Sequence, residues 1–239
     1  MEDRSKELVE FITQSIYFGD TTLQSEGMSA EVWEKYLYLG CKEYRNSGDY
    51  IMRIGDNVHG LYFIKKGKVK SNLLSKDGTE KILSIKSENT IFAEQFIFHH
   101  QPGVFEVVAL EDSELYFFTR DTILQLMQKD FEITLFIGKS LSITSRMLAH
   151  QVQDMSVRSI LQGLARILYS ICCYEINKSS KSNNITFILT HEELANMLGA
   201  HRVTVTKNLN YLKSLGIIDY KYEKITIKNR EELKKIASE

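Results

Sequence analysis

The spacing of apolar residues divides the chain into a β-rich stretch flanked by helical ones. Residues 5–18 and 29–38 carry apolar side chains three or four positions apart, which predicts two short helices. From about 41 to 120, short runs of β-branched and aromatic residues alternate with glycine-containing turns, and Asp77-Gly78 is the strongest hairpin signal. This pattern predicts an antiparallel β-barrel or sandwich.

The pattern becomes helical again after residue 120. Residues 121–127 are predicted to form a short helix, and residues from about 130 to 155 a long one. Apolar or small residues recur on the long helix at steps of three and four, at Ile133, Ile137, Leu141, Thr144, Leu148, Val152 and Met155. Such a narrow stripe is typical of coiled coils and favours a dimerisation helix, the alternative being a helix packed on its own domain.

The C-terminal third has the pattern of a winged helix-turn-helix. A helix at about 157–176 precedes a short strand, and Thr190 and Glu193 have capping-box spacing before a helix over 191–198. Gly199 allows the turn into a second helix over 202–214.

Three residues, Ala195, Gly199 and Val205, match the small, turning and apolar positions of the motif. Asn208 departs from it, because that position is usually apolar. Residues 217–227 then predict a β-hairpin wing.

The second helix of this unit is predicted to enter the major groove of DNA. Arg202 and Lys207 can reach bases or phosphates, and Val203 offers apolar contact to a thymine methyl group. The residues predicted to contact DNA are Thr190, His201, Arg202, Val203, Thr204, Thr206 and Lys207. The alternative is an ordinary pair of helices with a solvated basic face.

Composition refines this picture through the distribution of charge. The 239 residues carry 30 Lys and Arg against 31 Asp and Glu, a net charge of −1 that argues against nucleic-acid binding by bulk charge. However, residues 156–239 carry 13 Lys and Arg against eight Asp and Glu, whereas the preceding residues are acidic. This asymmetry predicts two domains with different partners, and it favours a polyanion as the partner of the second domain.

The sequence does not contain the residue patterns that several other functional classes require. Three scattered cysteines imply no disulfide framework, and no apolar run predicts a membrane span or a secretory signal, so a cytoplasmic protein is expected. We find no Ser/His/Asp set, metal-ligand spacing or phosphate loop, so no enzyme is expected.

Taken together, these motifs resemble the CRP/FNR superfamily of bacterial transcription regulators. The resemblance rests on Gly48-Asp-Tyr-Ile, Leu61-Tyr-Phe-Ile-Lys-Lys-Gly, Asp77-Gly-Thr-Glu-Lys, Phe92-Ala-Glu-Gln and the helix-turn-helix. It implies an α+β fold with a barrel of cyclic-nucleotide-binding type at 1–120, a short helix and the dimerisation helix at 121–155, and a winged helix-turn-helix at 156–239.

The resemblance also implies partners. A homodimer joined through the helix at about 130–155 would read an inverted repeat in double-stranded DNA and contact RNA polymerase, and an activator is expected. A small effector would bind between barrel and dimerisation helix. The candidate effector residues are Phe92, Glu94, Gln95, Phe96, Val104, Phe105, Ser140, Thr144 and Ser145.

Cyclic AMP is not the expected effector. The family's nucleotide site resembles Gly-Glu-Leu followed by an Arg-Ser pair that binds the phosphate, and here Ala93-Glu94-Gln95 is followed by Gly103-Val104. Without that arginine the phosphate lacks its charge-assisted hydrogen bonds. Thr144 and Ser145 do match the Thr-Ser pair that the family carries on its dimerisation helix.

Neither an iron–sulfur cluster nor haem is expected. Oxygen sensors of the family hold their cluster with N-terminal cysteines, and no cysteine precedes Cys41. Cys172 and Cys173 are adjacent on a helix, which favours buried thiols over a redox pair. The histidines His59, His99, His100 and His150 show no haem-ligand spacing.

The recognition helix narrows the resemblance. Many members read DNA with a glutamate and an arginine where this chain has Val203 and Lys207, and His-x-Val-Thr-Val at 201–205 is similar to the halorespiration-type regulators. Those regulators read an AT-rich, TTAA-containing site, but Thr144 replaces the lysine with which they bind a phenolate. The effector therefore stays open. The remaining alternatives are a cyclic-nucleotide-binding module that binds protein and an effector-independent, constitutive regulator.

Overall fold

The computed structural model describes residues 29–74, 80–178, 185–221 and 223–238. The chain separates into two compact units, and the boundary falls within a long helix, between Leu148 and Ala149. The predicted N-terminal helix at 5–18 and the Asp77-Gly78 hairpin turn lie outside the described residues. No helix in the described ranges is long and apolar enough to cross a membrane.

The first unit is built on two antiparallel four-stranded sheets. Its strands are β1 (Cys41–Arg45), β2 (Tyr50–Met52), β3 (Gly60–Lys66), β4 (Lys68–Leu74), β5 (Glu80–Ser87), β6 (Ile91–Phe92), β7 (Glu106–Ala109) and β8 (Ser113–Thr119). One sheet has the order β1-β8-β3-β6 and the other β2-β7-β4-β5. The α+β class and the antiparallel β-structure predicted from the sequence for this region are confirmed.

Alternating side chains of β3 separate two hydrophobic cores. Because successive residues of a strand point to opposite faces, Tyr62 and Ile64 pack between the sheets with Val69 of β4 and Val107 of β7. Leu61 and Phe63 face the other way and pack against helices. The strand is therefore apolar on both faces, as its sequence Leu-Tyr-Phe-Ile requires.

A cluster of aromatic rings centres on Trp33, which is fully buried in α1 (Glu31–Glu34). Its ring lies 5.8 Å from Phe63, 5.4 Å from Phe118 and 5.8 Å from Phe136, measured between centroids. The predicted helix at 29–38 is thus split into α1 and a 3₁₀ turn at Leu37–Leu39. The cluster fixes this N-terminal segment to the sheet and to the long helix.

Two helices follow the barrel, α2 (Arg120–Lys129) and the long α3 (Phe131–Val157). The stripe predicted on the long helix changes character along its length. Ile133 and Ile137 are fully buried in the core around Trp33, whereas 40% of Leu148 and 64% of Val152 are exposed. The first two stripe positions therefore pack on their own domain, whereas the exposed apolar positions of the stripe lie in the second half of the helix.

The second unit contains a helical core and a small sheet. Its elements are α4 (Ile160–Lys178), β9 (Thr186–Ile188), α5 (His191–Leu198), α6 (Arg202–Ser214), β10 (Ile218–Lys221), β11 (Lys224–Ile227) and α7 (Arg230–Ser238). The strands form an antiparallel sheet in the order β10-β11-β9. A Cβ on Gly163 would lie 2.8 Å from the Leu198 side chain, so glycine lets α4 and α5 approach closely.

Candidate nucleic-acid interface and effector cavity

The first helix of the helix-turn-helix, α5, has both ends fixed by local chemistry. The Thr190 hydroxyl accepts a hydrogen bond from the Glu193 amide at 3.0 Å, and the Glu193 carboxylate accepts one from the Thr190 amide at 2.8 Å. Gly199 ends the helix in the left-handed conformation, at φ 64°. A capping box and a glycine C-cap therefore set the angle at which the chain enters α6.

The recognition helix α6 presents a stripe of exposed side chains on one face. Val203, Lys207 and Tyr211 are spaced four residues apart, and 66% of Val203 and 50% of Tyr211 are exposed. The opposite face is apolar, where Val205, Leu209 and Leu212 are fully buried. Leu209 fills the core beside Asn208, whose side chain instead donates to the Thr204 carbonyl at 2.8 Å.

The polar residues at the start of α6 differ in their freedom to reach DNA. His201 and Arg202 are exposed, and the Arg202 guanidinium lies 4.0 Å from the equally exposed Glu192 carboxylate, a contact too weak to hold it. Thr204 and Thr206 are half-buried, and the Thr206 hydroxyl donates to the Arg202 carbonyl at 2.9 Å.

His191 joins the three elements of the DNA-reading unit. Its Nδ1 lies 2.9 Å from the Thr206 hydroxyl of α6, and its ring meets Tyr220 of β10 edge-on at 5.1 Å. Because the Thr206 proton is directed to the Arg202 carbonyl, the imidazole Nδ1–H donates. The buried Nε2 is then an acceptor that has no hydrogen-bond partner among the described residues. The neutral ring fits this position.

The C-terminal end of α6 is fastened to the wing. The Lys213 ammonium contacts the Asp219 carboxylate at 2.8 Å and donates to the Tyr220 carbonyl at 3.0 Å. The Tyr220 hydroxyl donates to the Asn210 side-chain oxygen at 2.7 Å. Lys213 beside it lowers the pKa of Asp219. These contacts engage the polar groups near the end of α6 and leave Tyr211 exposed beside them.

A cavity of about 400 Å³ lies within the first unit, between the barrel and α3. Its walls are mostly apolar and include Leu83, Phe92, Phe105, Leu141 and Met147. This volume lies in the range of small-molecule sites.

A buried polar network lies at the side of the cavity. The Lys86 ammonium contacts the Glu94 carboxylate at 3.1 Å and donates to the Ile91 carbonyl at 2.7 Å. The Ser140 hydroxyl of α3 donates to the same carboxylate oxygen of Glu94 at 2.6 Å. All three side chains are buried, so this network joins β5, the 3₁₀ turn Glu94–Ile97 and α3.

The backbone entering this turn is strained. Ala93 adopts φ 66°, a left-handed conformation that costs a non-glycine residue about 1–2 kcal/mol. The cyclic-nucleotide site that the sequence resembles has glycine here. The turn therefore adopts a conformation that favours glycine although it contains alanine, and it positions Glu94 beside Lys86.

Sequence comparisons assign both units to known domains. Residues 42–130 match the profile of the cyclic nucleotide-binding domain, and residues 162–236 match that of the Crp-like helix-turn-helix domain. The chain belongs to the CRP/FNR family of transcription regulators. It thus binds DNA through its helix-turn-helix and is not an enzyme, as the sequence predicted.

Known regulatory proteins are similar to this chain over most of its length. The anaerobic regulatory protein of Bacillus subtilis is 24% identical over 199 residues, covering 81% of this chain and 82% of that protein. A CRP-like cAMP-activated global transcriptional regulator of Mycobacterium tuberculosis is 25% identical, covering 80% and 85%. The solved structure of CprK complexed with OCPA has a TM-score of 0.66 at 22% identity, covering 84% of this chain and 93% of that one, and so shares the fold.

The candidate effector residues of this CRP/FNR protein fall into two groups. Six of the nine line the cavity, namely Phe92, Glu94, Gln95, Val104, Phe105 and Thr144. Phe96 is buried in the core between the sheets, Ser140 lies behind Glu94, and Ser145 is exposed. The residues that line the cavity and were not predicted are Ser71, Leu73, Leu83, Ser84, Lys86, Ala93, Leu141, Met147 and Leu148.

Lys86 is the omission with the greatest chemical consequence. In the sequence Lys-Ile-Leu-Ser-Ile-Lys, it reads as a charged residue at the end of a strand, normally solvated. The alternation of side chains along the strand could have revealed that Lys86 is buried, because Ser84 and Lys86 lie on the same strand face as the buried Ile82. Tyr211 could likewise have been predicted to lie on the exposed face of the helix, because it follows Lys207 by four residues.

The adjacent cysteines of α4 are both buried, as the sequence suggested. Burial, together with the neighbouring Cys173 thiol, raises the pKa of Cys172 to about 12. Burial also raises the pKa of Cys173. Thiols in this state are poor nucleophiles. The described residues contain no group of three or more His, Cys, Asp or Glu arranged to hold a metal ion.

His191 should make the DNA-reading unit less stable in acid. Burial and the nearby Arg202 lower the pKa of His191 below 6.5, so the unfolded chain binds the proton more readily. We expect the free energy of unfolding to fall as the pH drops from 6.5 to the folded pKa, by at most about 1.4 kcal/mol per pH unit, and not to change on this account above 6.5.

Denaturant unfolding between pH 5 and 8 measures this effect, with His191→Gln as the comparison. The difference in stability between His191→Gln and the parent protein should be independent of pH above 6.5 and shift in favour of the variant below it. A constant difference across the range would contradict the assigned cause.

Proposed function

We propose that this CRP/FNR protein is a homodimeric regulator, an activator, whose DNA binding is controlled by a small molecule in the barrel cavity. The proposal rests on the position of Leu148. This side chain lines the cavity and is also an exposed position of the apolar stripe on α3. A ligand that contacts Leu148 can therefore alter the surface through which two protomers would pair.

The dimer would form through the second half of α3. Leu148 and Val152 are exposed apolar residues four positions apart, as on the contact face of a coiled coil. The first half of the stripe is buried in its own unit, so pairing would begin beside the cavity. The ligand would favour one arrangement of this helix and so shift the population toward a DNA-competent dimer.

The proposed target is an AT-rich inverted repeat. Val203 is exposed at the start of the recognition helix and can contact thymine methyl groups, while Arg202 and Lys207 reach base edges or phosphates. The segment 201–205 is similar to that of the halorespiration-type regulators, which supports a TTAA-containing site. Bound there, the dimer would contact RNA polymerase.

Cyclic AMP does not suit the cavity. Among its described lining residues the basic side chain is Lys86, which already contacts Glu94, so a cyclic phosphate would find no guanidinium. We therefore propose that the effector is a mainly apolar molecule and that neither an iron–sulfur cluster nor haem takes part in sensing.

Removing the basic residues of the recognition helix tests the DNA assignment. On an operator selected from random duplexes with the purified full-length protein, we expect Arg202→Ala and Lys207→Ala each to weaken binding about ten-fold or more. Each should also reduce the slope of log affinity against log salt concentration, by about 1 for each phosphate that is no longer neutralised. Fluorescence anisotropy titrations at several salt concentrations give both quantities.

Lys235→Ala is the matched control, because it removes one positive charge from α7, outside the helix-turn-helix. It should leave operator affinity within about two-fold of the parent, since the Lys235 ammonium already pairs with Glu232 on the same helix and an exposed, screened charge contributes little. Equal effects of all three variants would show that only net charge matters. Unchanged affinity for both recognition-helix variants would mean that α6 does not read the operator.

A further inference from the structure

The polar side of the cavity carries two opposite charges that are already paired. The Lys86 ammonium and the Glu94 carboxylate are 3.1 Å apart, and both side chains are buried. The ammonium also donates to the Ile91 carbonyl, and the carboxylate accepts from Ser140. The charge of each group is therefore balanced by the protein itself.

The rest of the described lining adds no further charge. Its other polar residues are Ser71, Ser84, Gln95 and Thr144, which are uncharged, and the remaining residues are apolar. A charged ligand entering this cavity would leave its water shell without gaining an unpaired counter-ion. Burying such a charge is costly, whereas an uncharged polar group needs only a hydrogen bond.

We propose that the cavity selects uncharged, mainly apolar molecules and discriminates against organic anions because Glu94 neutralises Lys86. This inference rests on the proposed function, since it names the class of effector for the same cavity. Lys86 would otherwise be a buried cation facing the ligand. Glu94 thus acts as a specificity-determining residue, because its pairing with Lys86 decides whether the cavity prefers an uncharged ligand or an anion.

Matched ligand pairs test the selection without knowledge of the natural effector. Each pair shares an apolar body and ends in a carboxamide or a carboxylate of nearly the same shape: naphthalene-2-carboxamide and naphthalene-2-carboxylate, 4-tert-butylbenzamide and 4-tert-butylbenzoate, indole-3-acetamide and indole-3-acetate. Calorimetric titration of the full-length protein at pH 7.5, without DNA, gives the affinities. We expect the carboxamide to bind at least ten-fold more tightly than its carboxylate.

Changing Glu94 should reverse this preference. In Glu94→Gln the Lys86 ammonium loses its counter-ion, so the carboxylate should become the tighter-binding member of each pair. In the double variant Lys86→Met/Glu94→Gln both charges are absent, and the carboxamide should again be preferred. The double variant also serves where Glu94→Gln alone fails to fold, because it leaves no unpaired buried charge.

Leu83→Ala is the control for the cavity itself, because Leu83 lines it without carrying charge. This variant should alter both affinities of a pair by the same factor and leave their ratio unchanged. A parent protein that prefers carboxylates, a double variant that does so, or a cavity that binds no carboxamide of the set would overturn the inference.

The measurements separate this inference from the proposed function. The affinity ratio is obtained without DNA and does not depend on whether a ligand changes operator binding. If the carboxamides bind but leave operator affinity unchanged, the selection stands and effector control of DNA binding fails. If operator binding responds to carboxylates alone, effector control stands and the selection fails.

Discussion

Trp33→Ala should lower the free energy of unfolding of the barrel unit by about 3–5 kcal/mol. The indole is fully buried and contacts rings from β3, β8 and α3, at Phe63, Phe118 and Phe136. Its removal leaves a cavity that three separate elements would have to close, and close-packed elements relax only partly. Urea denaturation followed by far-UV circular dichroism measures the loss.

Fluorescence cannot follow this variant, because Trp33 is the single tryptophan of the chain. Tyr38→Ala is the control, since this nearby aromatic side chain is 75% exposed and its removal should change stability by less than about 0.5 kcal/mol. Trp33→Phe should fall between the two, because a smaller ring still fills part of the site. A loss below about 1 kcal/mol for Trp33→Ala would show that the aromatic cluster is not a centre of stability.

Local signals explain why the helix-turn-helix could be predicted to the residue. The structure has α5 at His191–Leu198 and α6 at Arg202–Ser214, the limits expected from the sequence. Thr190 and Glu193 form a cap through hydrogen bonds between residues only three positions apart. Gly199 ends the helix because glycine readily adopts the left-handed backbone conformation. Boundaries set by such short-range chemistry are visible in a single sequence.

The barrel and its cavity depend more on contacts between distant residues. The first strand, β1, lies at the start of the predicted β-rich stretch but has no strong pattern of its own, because most of its side chains are exposed. Among the described residues it pairs with β8, some seventy residues later. Ile133 and Ile137 fit a coiled-coil stripe equally well whether they face a second chain or Trp33. Periodicity gives the face of a helix but not the partner that covers it.

The second large effect concerns the buried ion pair at the cavity. Lys86→Met should destabilise the barrel unit by about 3–5 kcal/mol, because it leaves the Glu94 carboxylate buried without its counter-ion. The apolar stem of methionine replaces most of the lysine volume, so little of this loss comes from a cavity. Lys65→Met is the control: Lys65 pairs with Glu34 at the surface, and breaking that pair should cost less than about 1 kcal/mol.

The double variant Lys86→Met/Glu94→Gln then separates the cost of an unpaired charge from the value of the pair. Glutamine can still accept from Ser140 and carries no charge, so we expect it to recover most of the stability lost in Lys86→Met. A double-mutant cycle from urea denaturation should give a coupling energy above about 2 kcal/mol. Additive losses would mean that the two charges act independently, and Glu94 could not then be what keeps Lys86 from attracting an anionic ligand.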